Sequence, residues 1–527
     1  MAVGESSGGE AETAAVAVDA TELDRLVAES AEPGVWRFAR ASRASVIVDA
    51  ADYFALMHQA MLRTRHRFLL VGWDFDTRIK LIQGRRWWHR ASREQRRERL
   101  GNFILWLARR NPQLDIRILK WSYGAIHFLT RGIMAWDMIR WGREKNITFN
   151  FDTIHPVGAS HHQKIAILDD RFAVCGGIDM TVRRWDTREH LENDRRRRDS
   201  RGKPYQPWHD ATMMVEGDIA AALGDLGRWR WEHSSGEELP PVAPDDGESP
   251  WPRELRAQFE DVEIGIARTR GGVEDACQID EIADLFELQI AAARHLIYAE
   301  SQYFASHRIA NAIAKRLTQP DPPEILIVHP ANADGWLEQQ AMDYARAELV
   351  RTLGEADPAG RFNLYIPYTG ETPIYVHAKL MIVDDRIFRI GSANMNNRSL
   401  GLDSECDLFI DAGRPGNAHC ADRIRDIRHE LLAEHCGLDP AEVGPLLETH
   451  GSMRAMIESL GRSRKRTLRR YELPQLNAVQ EAIAQSGILD PEKPEELFET
   501  YPQGGLFREG SRLERLRQRL ARKKERA

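Results

Sequence analysis

Apolar positions fall into two series along the chain, and each series predicts a set of strands separated by helices. In the first, residues 67–73, 114–119 and 147–151 carry the short β-branched and aromatic blocks of strands; in the second, residues 295–300, 324–328 and 362–366 do so. Amphipathic stretches between them, including 100–109 and 336–353, predict helices. Each series ends on an alternating segment, 162–169 or 377–384, that predicts one more strand closed by a turn at Asp169-Asp170 or Asp384-Asp385. The order is the same in both, so the chain reads as an internal repeat of two α/β units, each with a mostly parallel sheet.

The repeat extends to chemistry. His162, Lys164 and Asp169 stand in an HxKxxxxD array followed by Gly176 and Gly177; His377, Lys379 and Asp384 repeat it at the same spacing, followed by Gly391, Ser392 and Asn394. Residues two apart on a strand share a face, so each His and Lys can point at one ligand. Imidazole serves as nucleophile or proton donor near neutral pH, and an ammonium neutralises phosphate oxygens, so two such pairs suit a phosphodiester. After each glycine turn a further strand opens on a carboxylate, Asp210 or Glu405. A carboxylate at Nδ1 fixes a histidine's tautomer, and this role is expected of Asp210 and Glu405, crosswise between the halves. Asp169 and Asp384 close strands at turns, where orienting backbone is the expected task. Asp179 would repel phosphate; orienting a histidine or lysine and binding a polar headgroup both stay open.

The paired array resembles the phospholipase D superfamily. The resemblance covers residues 33–440 and includes Gly176-Gly177-Ile178-Asp179, Arg184-Trp185-Asp186, Pro207-Trp208-His209-Asp210 and the stretch Ile297 to Phe304, where Ala299 and Ser301 depart from the pattern. Gly391-Ser392-Ala393-Asn394, Asn396, Arg398-Ser399 and Asp403-Ser404-Glu405 complete it. These blocks look like the phosphatidylcholine-type branch. The resemblance implies two pseudo-twofold-related α/β/α domains with the motifs facing each other, residues 33–235 and 259–440. They would be joined by a linker at 236–258, preceded by an acidic disordered N-terminus at 1–32 and followed by a helical extension with a basic tail at 441–527.

It further implies a catalytic set of His162, Lys164, Asp169, His377, Lys379, Asp384, Asp210 and Glu405, with His162 forming a phosphohistidine and His377 acting as acid and then base. Ser392, Asn394 and Gly177 would bind the phosphate. The implied reaction is phospholipase D hydrolysis of a glycerophospholipid to phosphatidic acid and free headgroup, with transphosphatidylation when an alcohol replaces water. The alternatives are a cardiolipin synthase-like phosphatidyltransferase and, behind it, a superfamily nuclease. A non-catalytic lipid scaffold would have no use for two intact His/Lys pairs.

Composition narrows the setting. The chain has 527 residues, 42% of them hydrophobic, which suffices for buried cores. No uninterrupted apolar run of about 18 residues predicts a transmembrane helix, and no signal-like segment opens the sequence. Five cysteines without CxxC spacing argue against a disulfide framework and against a zinc site. A cytoplasmic, monomeric protein with no metal or other cofactor in its chemistry is expected; nucleic acid is not the expected partner. The net charge of −7 conceals basic clusters at 195–198 and 508–526, the latter with Leu513, Leu516 and Leu520 on one helical face. Both are candidates for peripheral contact with an anionic membrane, the tail alternatively with another subunit, and of the two aromatic stretches at 85–89 and 123–142 the latter is a candidate for gripping acyl chains.

Overall fold

Seven strands of the first half lie side by side because each is a run of branched and aromatic residues buried on at least one face. In chain order the strands are β1 (Arg37–Val48), β2 (Arg67–Gly72), β3 (Asp115–Trp121), β4 (Ile147–Asp152), β5 (Ile165–Leu168), β6 (Phe172–Gly176), the two-residue β7 (Trp208–His209) and β8 (Ala211–Gly217). Pairing runs β4-β3-β2-β5-β6-β8-β1. The second half supplies β9 (Phe259–Arg270), β10 (Ile279–Asp280), β11 (Leu296–Glu300), β12 (Glu324–Val328), β13 (Phe362–Thr369), β14 (Thr372–Pro373), β15 (Tyr375–Val376), β16 (Leu380–Val383), β17 (Ile387–Gly391), β18 (Glu405–Asp411) and β19 (Arg466–Arg470). Its pairing runs β13-β12-β11-β16-β17-β18-β9, in the same order of roles. β1 and β9 pair antiparallel from Arg37↔Ile266 to Ala44↔Phe259, so the two sets are continuous. This computed structural model describes residues 31–82, 99–121, 132–156, 158–273, 276–332 and 336–473. The 85–89 aromatic run, the first part of the 123–142 segment, the 508–526 tail and nearly all of the acidic N-terminus lie outside the described residues.

The architecture is mixed α/β, and the expectation of a mostly parallel sheet is corrected. Only β2-β3-β4 and β11-β12-β13 are parallel neighbours in the main sheet, where helical crossovers return the chain to the same edge. The rest is antiparallel because β5-β6 and β16-β17 are joined by three-residue Asp-Asp-Arg turns. All four aspartates have positive φ, between 51° and 56°, which matches the twist of a hairpin and which Asp tolerates better than bulkier residues.

Helices cover both faces. The helices Ala50–Arg63 and Leu100–Arg110 bury Phe54, Met57, Phe103 and Ile104 on one side of the first set, with Glu281–Ala292 and His307–Leu317 in the same place on the second. The helices Asp218–Ser235 and Ala421–Cys436 contribute Leu223, Trp231, Ile424 and Leu431 to a core that also contains Met213, Ile382 and Leu408, so one core is shared by both halves. The segment 236–258 is no free tether: Trp251 is buried against Phe172, and Asp245 bonds His66 and Arg171. The expected separate helical appendage is also corrected. The helices Pro440–His450 and Met453–Leu460 place Val443 and Met456 in the shared core, and β19 adds to the edge of β13. Edge completion gives this segment a strand that its charged Arg-rich sequence does not advertise.

Candidate active site

Each HxK triplet lies just ahead of its strand rather than inside it. Ser404 O accepts from His162 N at 2.9 Å, and His209 O accepts from His377 N at 2.7 Å. The extended segments therefore bond across to the opposite half, which explains why the main sheet begins only at Ile165 and Leu380. The two accepting residues immediately precede Glu405 and Asp210. Backbone pairing thus delivers each histidine to the carboxylate of the other half: His162 Nδ1 lies 3.0 Å from Glu405 Oε1, and His377 Nδ1 lies 2.7 Å from Asp210 Oδ2.

The surroundings differ. His162 Nδ1 is also 3.0 Å from the Ser392 carbonyl, which only accepts, so Nδ1 carries the proton and Nε2 keeps its lone pair. Glu405 receives hydroxyl donors from Ser392 and, at 2.7 Å, Ser399. Asp210 lacks serine donors and accepts Ala211 N at 2.9 Å. A side chain at Gly177 would collide with Asp210 Oδ1, its Cβ falling 2.1 Å away, so glycine is required by this close approach. Ser392 and Gly177, expected to bind phosphate, are otherwise engaged: the Ser392 hydroxyl donates to Glu405, and Gly177 N donates to Ala211 O at 2.8 Å. Both shape the carboxylates instead. Asn394 is buried, and its Oδ1 has no partner among the described residues.

The lysines follow one pattern. Lys164 Nζ donates to His162 O at 2.8 Å and lies 3.4 Å from Asp179, giving that acid a lysine to orient. Lys379 Nζ donates to His377 O and, at 3.1 Å, to Gln302 Oε1. Lys379 depresses the basicity of His162, and Lys164 that of His377, so the four groups share one electrostatic environment. Burial holds both imidazoles well below their usual range, the lysines adding to the effect. Burial likewise pushes Glu405 up to about 7, opposed by Lys164, and Asp210 up to about 6, opposed by Lys379. Lys379 itself is pushed down to about 7 by burial.

The motif aspartates sit at the other end of these strands. Asp169 accepts from the backbone N–H groups of Arg65, His66 and Arg67, each at 2.8 Å; Asp384 accepts from Arg294, His295 and Leu296 at 2.7 to 2.9 Å. This is the backbone-orienting task expected of turn residues, and it sets both acids apart from the rest of the implied catalytic set. Three neighbours escaped the sequence analysis as site residues. Trp73 packs edge-on to His162 at 6.2 Å, Gln302 holds Lys379, and the Arg184 guanidinium lies 4.2 Å over Trp208, whose ring is 5.2 Å from His377. The blocks containing Arg184 and Gln302 were visible, but their tertiary targets were not. The 195–198 cluster is divided: Arg197 is buried against Asp186, and the other three stay at the surface.

A family model described as "Cardiolipin synthase, PLD-like domain" matches residues 287–425, which contain the second HxK array, and curated relatives match across both arrays. The chain is similar to members of the phospholipase D/cardiolipin synthase superfamily. Superfamily relatives include phospholipase D A of Dictyostelium discoideum, 26% identical over 481 residues, covering 77% of this chain and 37% of that protein. The "probable cardiolipin synthase YwiE" of Bacillus subtilis is 23% identical over 317 residues, covering 59% of this chain and 54% of that protein. The chain thus spans about a third to a half of the length of these two relatives. Among solved structures, phosphatidylserine synthase of Haemophilus influenzae Rd KW20 shares the fold, with a TM-score of 0.53 at 12% identity over 84% of this chain and 99% of that one. The paired His/Lys groups give this chain catalytic potential of the phosphodiesterase type.

Proposed function

We propose that the protein is a phosphatidyltransferase of the cardiolipin synthase kind, passing a phosphatidyl group from one phospholipid to the hydroxyl of another through a covalent phosphohistidine. The crosswise His–carboxylate pairing carries this reading, because it joins two HxK pairs into one environment suited to a single phosphodiester. Hydrolysis to phosphatidic acid, which stands first on sequence alone, becomes the second reading. The cardiolipin synthase model over the second array favours transfer; the long alignment to a phospholipase D favours hydrolysis.

His162 is the nucleophile, its Nε2 lone pair exposed by the tautomer that Glu405 and the Ser392 carbonyl impose. Its side chain is 13% exposed against 5% for His377, so it is the more open to an arriving headgroup. As Nε2 bonds to phosphorus, the bond to the leaving oxygen breaks and that oxygen takes a proton from His377. The anionic phosphodiester together with Asp210 favours the imidazolium needed for this step. An acceptor hydroxyl then attacks phosphorus, the P–N bond breaks, and His377 recovers the proton. Lys164, Lys379 and Asn394 are the groups proposed to hold the phosphate oxygens, and the two α/β halves are proposed to be pseudo-twofold copies. No helix among the described residues is long and apolar enough to cross a membrane.

The test is to incubate purified protein with mixed phospholipid vesicles, EDTA and a primary alcohol, then identify lipid products by mass spectrometry. Diphosphatidyl and phosphatidyl-alcohol products support transfer. Phosphatidic acid as the dominant product moves the assignment to phospholipase D, and DNA cleavage without lipid turnover moves it to a nuclease.

A further inference from the structure

Behind Asp210, away from the HxK groups, lies a closed cluster of titratable side chains that the proposed reaction does not use. Asp49, His190, His209 and Glu434 are between 0% and 2% exposed, and one ligand-type atom from each lies within 4.8 Å of all the others. His190 Nε2 is 3.1 Å from Glu434 Oε1 and 3.4 Å from Asp49 Oδ2; His209 Nδ1 is 2.8 Å from Glu434 Oε1. Four ligands about 2.1 Å from a tetrahedral ion would be roughly 3.4 Å apart, close to most of these separations.

Three further observations point the same way. Each histidine has its remote ring nitrogen beside a carboxylate, His190 Nδ1 at 3.1 Å from Asp186 and His209 Nε2 at 2.6 Å from Glu300. In a neutral ring that arrangement would turn the lone pair inward, as partners of metal-bound imidazoles do. Asp49 Oδ2 and His209 Nδ1, both fully enclosed, have no aligned hydrogen-bond partner among the described residues. Asp49 also occupies a helix N-cap without capping it, its Oδ1 accepting instead from Asp210 N at 3.2 Å. Finally, the four carboxylates of Asp49, Asp186, Glu300 and Glu434 meet two guanidinium partners, Arg197 on Asp186 and Arg188 on Glu434, while a third imidazole, neutral His435, lies 3.0 Å from Glu300. Two negative charges remain in a buried space, which either one divalent cation or two imidazolium ions would balance. Protonation at both histidines leaves Asp49 Oδ2 without a donor and the proton on His209 Nδ1 without an aligned acceptor. A cation satisfies both atoms.

We infer that Asp49, His190, His209 and Glu434 form a buried site for one divalent transition-metal ion of the zinc class, which ties the helix Ala421–Cys436 of the second half to the strand that presents Asp210. Two imidazoles and two carboxylates suit zinc better than calcium or magnesium. The ion is structural: no position is left open toward the HxK groups, and its effect on the reaction passes through Asp49 to the Asp210 backbone.

The experiment uses the tag-free full chain, isolated from zinc-supplemented medium and dialysed against EDTA without unfolding. Elemental analysis should find about one equivalent of metal per chain. Protein unfolded in chelator and refolded without metal should melt at least 5 °C lower and regain the difference with one equivalent of zinc, not with magnesium. Cobalt in place of zinc should give the visible absorption of a tetrahedral N/O site. His190→Gln, or Glu434→Gln should that variant fail to fold, should hold under a tenth of an equivalent. Native, folded wild-type protein with under a tenth of an equivalent, or a folded His190→Gln chain that retains a full one, overturns the site. Neither result bears on transfer against hydrolysis, which the lipid products decide separately.

Discussion

Among the described residues His162 meets two acceptors at Nδ1, Glu405 and the Ser392 carbonyl, whereas His377 meets Asp210 alone. The difference follows from one position in each half. Ser392 brings a hydroxyl to Glu405 and a carbonyl to His162, while its counterpart Gly177 clears space for the shorter Asp210. A histidine whose proton is fixed at Nδ1 suits nucleophilic attack. One whose carboxylate partner has no serine donors, and whose proton is needed only while an anionic phosphodiester is beside it, suits passing a proton back and forth. Two matched motifs can thus do different work without differing in any motif residue.

The strongest way to break this comparison is to remove each imidazole. His162→Ala and His377→Ala should each lower steady-state turnover by about 10⁴-fold or more. A phosphatidyl ester with a leaving group that needs no proton separates them. His377→Ala should then accumulate a phosphohistidine, seen by rapid-quench mass spectrometry, and His162→Ala should form none. The reverse pattern would exchange the two roles.

Next come the carboxylates. Glu405→Gln and Asp210→Asn should lower kcat by about 10² to 10⁴-fold, since an amide leaves the ring free to take the wrong tautomer. Loss of Asp210 should slow release of the phosphohistidine, and loss of Glu405 should slow its formation. Pre-steady-state amplitudes with the same ester distinguish the two, and equal effects on both steps would remove the distinction drawn between the halves.

Much of this was legible in the sequence because its signals are local. The HxK spacing, the strand order and the acids that open β8 and β18 are all set within a few residues, and the crosswise assignment of Asp210 and Glu405 matches the contacts seen. The mostly parallel sheet was misjudged because hydrophobic blocks do not reveal strand direction, whereas the Asp-Asp turns do once their positive φ is known. Ser392 and Gly177 were misassigned because a hydroxyl or amide in a motif does not disclose what it already bonds. Arg184 and Trp73 reach the site only through tertiary packing. The Asp49, His190, His209 and Glu434 cluster is drawn from four distant points of the chain, and no spacing announces it.

A smaller effect is expected from pH. Each carboxylate must be ionised to hold its imidazole, so activity should fall as pH drops through about 7 for Glu405 and about 6 for Asp210. Stability has the opposite sign. Burial raises both groups above their unfolded values, so their contribution is fully present below about 4 and is lost as pH rises through 6 to 7. Between pH 5.5 and 8, activity should rise while these two groups lower the melting temperature. Glu405→Gln should flatten the upper part of that melting-temperature trend; a wild-type trend retained intact in this variant would remove Glu405 as its source.

The smallest effects should come from the turn aspartates, where the halves resemble each other most. Asp169→Asn and Asp384→Asn keep a residue that tolerates positive φ, so they isolate the loss of a charged acceptor from three backbone donors. Each should cost about 1–2 kcal/mol of stability, measured by urea unfolding, with kcat within about twofold of wild type. Asp169 should cost more, because its bonds are half-buried, whereas two of the three at Asp384 are exposed. A kcat that collapses while stability is preserved would return these acids to the chemical machinery and show that the motif's fifth-residue spacing serves the phosphate rather than the fold.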